Sequence, residues 1–357
     1  MTKEEFLVSD FGEKKLIKRI AEKSQKYQND LYIGDDAALV PYQINRHDKF
    51  NFRDSYLVAT SDLLIEKYHF PKQMSYFQMG WKVVTVNVSD LAAMGAKPMG
   101  ILINIAIPSK LKISQFDKIL EGILKACSYY NTPLLGGDTN QSNEIIVSGT
   151  ALGNVEKRNT LRKEGFKKGD LVAITKEVGL AALGFELLKK KNIKKIKKAI
   201  NNKEISGSLV DLAIKNALEP KARLNEGIYL SNFASSATDI TDGLASELHE
   251  LFDADKAENK HSDLGILIHE DKLFEKPMDK KFRKILEVID LNFLDIVLHV
   301  GEDFEVLFTI NSDYIEEIEK NMDFIIIGEI NNSNRVEIKH LNGNIVLLSS
   351  KGYEHLS

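Results

Sequence analysis

Residues 80–107 read GWKVVTVNVSDLAAMGAKPMGILINIAI. Gly80 to Met94 carries the pattern of a helix, which Gly95 can end in a left-handed cap, with Pro98 just beyond. Gly100 to Ile107 then reads as an apolar strand. Downstream, Ile113 to Tyr130 reads as a helix, Pro133 to Leu135 as a short strand stopped by GGDT, and Glu144 to Gly153 as a further strand. Upstream, Tyr56 to Thr60 reads as a strand running into the polar SDLLIEKYHF. Leu16, Ile17 and Ile20 fall at helical spacing within Phe11 to Tyr27, and the polar stretch 42–55 reads as a loop insertion.

Past the polar, basic segment Glu156 to Gly169 the alternation restarts. Asp170 to Thr175 reads as a strand, Leu180 to Lys198 as a helix, and Ala237 to Asp239 as a strand end before a helix from Gly243. Phe304 to Ile310 and Phe324 to Ile330 are apolar strands. The expected organisation is two domains, 1–155 and 156–357, which suits a chain of 357 residues. Lys189 to Lys198 holds seven lysines in ten positions; as a solvated helix face it needs no ligand, and the sharper reading is an anion-attracting patch.

Composition narrows the function. With 48 Lys plus Arg against 52 Asp plus Glu, the net charge is −4, without the basic surplus expected of a nucleic-acid binder. A single cysteine, Cys127, excludes an intramolecular disulfide framework and Cys-clustered metal sites, and makes a cytoplasmic location the expectation. The N-terminal MTKEEFLVSDFGEKK has no apolar core of a signal peptide, and no apolar run is long enough to span a membrane.

The informative feature is where the carboxylates sit. Asp35 and Asp36 follow Ile33-Gly34, Asp62 follows Thr60-Ser61, and Asp90 lies in NVSDLAAMG. Asp138 follows LLGG, Asp239 and Asp242 frame DITDG, and Glu302 and Asp303 follow Val300-Gly301. Taken singly, each is explained as a helix cap or turn residue. Repeated at one strand end after another, they point to a shared ligand-binding edge. Mg²⁺ takes one or two carboxylates with phosphate and water oxygens, and Thr60, Ser61 and Thr241 add hydroxyls beside these acids. Asn87 and Asp90, three apart on a helix, share a face, which would let Asn87 support Asp90. The P-loop, the G-x-G-x-x-G fingerprint and the protein-kinase motifs are absent, so any phosphates would bind through metals held by these acids.

The ordered set IGDDAAL, ATSD…HF, NVSDLAAMGAKP, LLGGDT, KKGD, DITDGL, GEDFEVLF and KGYEH resembles the thiamine-monophosphate kinase family. That family belongs to a superfamily with aminoimidazole ribonucleotide synthetase and selenophosphate synthetase. The resemblance runs from Gly34 to Tyr353. It implies an N-terminal α+β domain whose sheet pairs across a homodimer into a β-barrel, and a C-terminal α/β domain completing the cleft. The activity implied is Mg²⁺-dependent transfer of the ATP γ-phosphoryl to thiamine phosphate, giving thiamine diphosphate and ADP.

Carried over by motif, Asp36, Thr60, Ser61, Asp62, Asp90, Asp138, Asp239 and Asp242 resemble the metal ligands, with Asp138, Asp62 and Asp242 closest to the chemistry. Gly137, Asp138, Arg162 and Thr241 resemble the ATP contacts, Arg162 at a spacing one residue longer than usual. His69, Glu302 and Tyr353 resemble the thiamine phosphate contacts. Thr241 stands where the family has Ser, Phe304 where it has Tyr, Val300 for the first Gly of GGED, and Lys176 for a Gly of a T-G-x-x-G turn.

The rival enzyme reading is aminoimidazole ribonucleotide synthetase, with a different pocket around His69 and Tyr353. Selenophosphate synthetase would bring a reactive N-terminal cysteine, and a hydrogenase-maturation relative a C-terminal one; Cys127 fits neither place. From another class, the chain would be a non-catalytic nucleotide-binding dimer, which an intact acid set argues against.

Overall fold

The strand begun at Tyr56 does not stop at Thr60. It runs from Ser55 to Ile65 because every residue from Ser55 to Ile65 pairs with the strand Ile146–Glu156, Asp62 opposite Gly149. The structure, a computed structural model, describes residues 35–41, 54–259, 262–273 and 276–352. The helix expected at Phe11 to Tyr27, most of the 42–55 insertion and Tyr353 lie outside the described residues.

The first sheet contains β1 (Ala38–Pro41), β2 (Ser55–Ile65), β3 (Lys97–Ile107), β4 (Leu134–Gly136), β5 (Thr139–Gln141) and β6 (Ile146–Glu156). Its order is β1-β2-β6-β3-β4, with β5 also on β3. It is antiparallel except where β4 and β5 run parallel to β3. Among the described residues this sheet is open. One face is covered by α2 (Tyr76–Ala93), which follows the single turn α1 (Glu66–His69), and α3 (Ile113–Tyr129) packs on α2. Alternation does the sorting: Val147 and Ala151 on β6 are fully buried under fully buried Val83, Val84, Val88 and Leu91 of α2. Met94 and Gly95 end α2 as the sequence predicts, Gly95 at φ 67°. Cys127 is a core residue of α3, its thiol pushed up to about 11 by burial.

The second sheet contains β7 (Leu171–Ile174), β8 (Ala234–Asp239), β9 (Gly265–His269), β10 (Val306–Ile310), β11 (Ile325–Asn331), β12 (Val336–Lys339) and β13 (Ile345–Leu347). Its order is β13-β12-β9-β11-β7-β10-β8. Strands and helices alternate along the chain as expected, yet only β9 and β12 pair in parallel, the other five pairs being antiparallel. The helices here are α4 (Leu180–Leu188), α5 (Lys190–Asn201), α6 (Gly207–Leu218), α7 (Leu224–Leu230), α8 (Leu244–Glu258), α9 (Lys276–Ile289), α10 (Phe293–His299) and α11 (Ile315–Glu319). The single helix expected over Leu180 to Lys198 is two. Lys189 is extended (φ −69°, ψ 132°), and the side chain of buried Asn192 donates to the Glu186 carbonyl at 2.7 Å, capping the break.

α2 lies between the two sheets. Ala237, Val306 and Phe308 of β8 and β10, and Leu224 and Leu230 of α7, join the same core as its apolar residues. A second core holds Val172, Ile174, Leu307, Ile266 and Ile268 with Leu244, Leu248 and Leu251 of α8. The placement of α2 is what puts Asp90, near its C-terminal end, beside the middle of β2 and the end of β8.

Candidate active site

Alternation along β2 sorts the TSD motif. Thr60 and Asp62 share one face of the strand, and Ser61 takes the other. The Thr60 hydroxyl donates a short hydrogen bond to Asp90 Oδ2. Ser61 instead engages the Gly149 carbonyl and the Thr150 hydroxyl, each at 2.9 Å, so its hydroxyl is not gathered with the aspartates. Asn87 does not bond Asp90 either. Its amide donates to the Val83 carbonyl at 2.8 Å and packs where a side chain at Gly149 would sit.

Asp36, Asp62, Asp90 and Asp239 form one electrostatic group. All four are held above the usual carboxylate range, first by burial. For Asp62 burial alone lifts the group to about 6. Asp90 is raised further by Asp62, Asp239 and Asp36, and Asp239 by Asp36 and Asp62. Asp36 Oδ2, Asp62 Oδ2 and Asp239 Oδ2 are buried oxygens without a hydrogen-bond donor. Buried carboxylates normally find donors. Three such oxygens among mutually repelling acids have the donor chemistry that a hard cation would satisfy. Among the described residues no three His, Cys, Asp or Glu side chains make a ready cage for one ion.

One protein cation does reach the group. Lys163, almost fully buried, pairs with Asp36 and with Glu250 of α8, both at 2.7 Å. Its ammonium is held well above its usual range by those acids, against burial. Its amide also donates to Asp35 at 3.1 Å, and burial raises that carboxyl to about 6. Glu247 extends the acid set. It is buried, raised by burial and by Glu250, and accepts the Asp242 amide at 3.0 Å. Sequence reasoning missed Lys163, Glu247 and Glu250. The one available signal was the position of Glu247 in the first turn of the helix that follows DITDG.

The residues that the resemblance assigns to ATP are more open. Gly137 passes so close to β3 that a Cβ there would lie 1.7 Å from the Ile103 carbonyl oxygen. Asp138 is exposed on the turn between β4 and β5, its amide held by Asn104 at 2.9 Å and its carboxylate accepting the Thr139 amide at 2.8 Å. Arg162 pairs with Glu164 at 3.4 Å and keeps 41% of its side chain exposed. Thr241 is half-buried, and its carbonyl accepts the Glu302 amide at 2.8 Å.

The GEDFE loop assigns each acid a different partner. Glu302 pairs with buried Lys82 of α2. Asp303 accepts the amides of Gly179 and Ala181 at the start of α4, yet burial wins and lifts it to about 7. Glu305 takes a bidentate grip from Arg223, both bonds at 2.6 Å. Gly301 makes the loop possible: a Cβ there would lie 1.7 Å from the Thr241 carbonyl oxygen. Phe304 is a core residue. His69 closes α1, with Nδ1 2.9 Å from the Ile65 amide. The described chain ends at Gly352, packed against Ser246 and the Asp242 carbonyl.

Residues 34–155 match the family described as AIR synthase related protein, N-terminal domain. Over 324 residues the chain is 35% identical to the thiamine-monophosphate kinase of Pyrococcus horikoshii, covering 91% of each. This chain belongs to the thiamine-monophosphate kinase family. The family's enzyme from Methanocaldococcus jannaschii is 31% identical over 298 residues, 81% of this chain and 84% of that one. Among solved structures, one described as AaThiL complexed with AMPPCP and TMP superposes with a TM-score of 0.80 at 25% identity, over 99% of this chain and 100% of that one. Hydrogenase maturation protein HypE in complex with ATP shares the fold at 14% identity, with a TM-score of 0.63 over 90% of this chain and 89% of that one. Thiamine-monophosphate kinase membership thus accounts for both sheets, whereas the family description of the N-terminal domain covers only the first.

Proposed function

We propose that this chain transfers the γ-phosphoryl group of ATP to thiamine phosphate, producing thiamine diphosphate and ADP, with Mg²⁺ as the metal. The observation that carries the reading is full-length likeness to a relative described as holding AMPPCP and TMP together. The acceptor phosphate is itself a nucleophile, so no general base is needed. One of its oxygens bonds to the γ-phosphorus as the bond to the β–γ bridging oxygen breaks, and ADP leaves with that electron pair. Bound Mg²⁺ would supply charge neutralisation between two anionic reactants.

In this reading Asp36, Thr60, Asp62, Asp90 and Asp239 hold metal on the buried side, with Asp138 and Asp242 on the open side. The Ser61 hydroxyl, turned to the other sheet face, has the least support as a ligand. Gly137, Asp138, Arg162 and Thr241 serve ATP, and His69, Glu302 and Tyr353 serve thiamine phosphate. The division into 1–155 and 156–357 gives the first part most of the metal ligands, while the second closes the cleft and adds Arg162, Asp239, Thr241 and Asp242.

A homodimer belongs to the same proposal. The face of the first sheet away from α2 exposes Leu63 (54%), Leu102 (38%) and Leu135 (52%), an apolar surface suited to a second copy. Pairing two such sheets would close the barrel that the single chain leaves open. Sedimentation equilibrium is expected to give twice the 40.2 kDa chain mass. A cytoplasmic site of action is also proposed; among the described residues no helix is long and apolar enough to cross a membrane.

Coupled ADP release tests the activity, with thiamine phosphate, free thiamine and formylglycinamidine ribonucleotide offered separately. Turnover with thiamine phosphate alone, yielding thiamine diphosphate, is the expected result. Turnover with the ribonucleotide would move the chain to the purine branch, and ATP binding without turnover on any acceptor would favour a non-catalytic dimer.

A further inference from the structure

Lys82 is among the largest fully buried side chains of the described residues, 1% exposed within α2. Its ammonium has two partners from opposite sides of the site. It donates to the main-chain carbonyl of His69 at 2.9 Å and forms a short ion pair with Glu302 Oε2. His69 stands at the end of the turn after β2, Glu302 in the loop before β10, so one buried charge joins elements of the two sheets.

Both partners are fixed from behind. The His69 ring is held by its own turn through the Ile65 amide. Glu302 is a non-glycine residue at φ 70°, with Phe304 at φ 53°. That left-handed backbone is maintained by the Glu302 and Phe304 amides donating to the carbonyls of Thr241 and Ile240 at 2.8 and 3.0 Å. The Glu302 side chain remains 31% exposed although its partner is not, so the carboxylate has a second, open side. Burying a lysine charge is costly, and an apolar side chain of similar volume would fill α2 as well or better. What such a side chain would not do is fix the spacing of these two groups.

We infer that Lys82 is a positioning residue for the acceptor: it sets His69 and Glu302 at one separation and offsets the Glu302 charge, so that a phosphate and a cationic ring are received together. This rests on the proposed activity, because His69 and Glu302 are the residues assigned there to thiamine phosphate. The two hydrogen bonds of Lys82 go to His69 and Glu302, both assigned to the acceptor, so the larger effect is expected on that substrate.

The experiment is steady-state kinetics of Lys82→Met and Lys82→Arg beside the wild type, with thiamine phosphate and ATP varied in turn. Lys82→Met is expected to raise KM for thiamine phosphate by roughly tenfold or more while KM for ATP stays within about twofold, the pattern of lost substrate binding rather than lost chemistry. Lys82→Arg keeps the charge and is expected to restore most of the acceptor KM. A parallel rise of both KM values, or no rise, overturns the inference.

A readout independent of turnover is the His69 imidazole signal in NMR, assigned with His69→Gln. Lys82→Met, or Lys82→Gln if that variant does not fold, is expected to shift it in the ligand-free protein, and an unmoved signal also overturns the inference. Wild-type protein inert toward thiamine phosphate, with the His69 signal still coupled to Lys82, instead fails the proposed activity alone.

Discussion

Asp239→Asn is expected to remove turnover and, in metal-free protein, to raise the melting temperature. Asp239 is 3% exposed at the end of β8, with one carboxylate oxygen lacking a donor and with Asp36 and Asp62 close enough to raise it. Neutralising it relieves a repulsion that nothing in the chain fully offsets, for a gain of roughly 2–5 °C. The same change removes an anionic ligand. Even residues supporting a metal ligand cost 10–100-fold when replaced, so a loss of at least about 100-fold in kcat is expected.

The pH dependence follows with a definite sign. Asp62 and Asp35 titrate at about 6 in the folded chain against 3.8 when unperturbed, so between those values the folded state binds more protons than the unfolded one. Stability contributed by these groups is therefore present below pH 4 and lost as pH rises through about 6. Thermal melts in EDTA should fall across that window. Melts in Mg²⁺ should not, because bound cations replace the protons. Asp239→Asn with intact turnover and an unchanged or lower melting temperature would take Asp239 out of the site.

The legibility of this site differs residue by residue, for physical reasons. Asp36, Asp90 and Asp239 were readable because short acids beside Gly, Ser or Thr at strand and helix ends are visible in one dimension. Ser61 looked equivalent to Thr60 because the face each presents depends on β2 continuing to Ile65, and that continuation is imposed by pairing with β6 some ninety residues away. Lys163 and Lys82 were invisible for a related reason. Among 48 basic residues nothing local marks Lys163 and Lys82 as buried, and Asp36 and Glu302, their partners, are 127 and 220 positions distant. The alternation of strands and helices was legible, but the direction in which distant strands pair was not. Alternation by itself suggests parallel crossovers, whereas β7, β8, β10 and β11 are laid down antiparallel.

Arg223→Ala is expected to produce the largest loss of stability, about 3–5 kcal/mol, the range for breaking a buried pair by removing one partner. The Arg223 side chain is 18% exposed and that of Glu305 6%. Glu305 Oε2 also accepts the Thr175 hydroxyl at 2.6 Å, and that hydroxyl in turn accepts the Val306 amide at 2.9 Å. The pair therefore locks β7 to β10 and fastens both to the start of α7. Gly227 of α7 packs directly against the Ala92 carbonyl of α2, the helix that carries Asp90. Burial already holds Glu305 above its usual range despite the guanidinium, and removing Arg223 raises it further.

The cost of the substitution must then depend on pH. A protonated Glu305 needs no counter-charge, so the loss should shrink as pH falls toward 5 and be full at pH 8. Urea unfolding at both values measures this. The double replacement Arg223→Met with Glu305→Leu, which removes both charges together, should recover most of the stability lost by Arg223→Ala. A loss independent of pH, or a double variant no better than the single, would mean that packing of the arginine stem rather than its charge holds this junction.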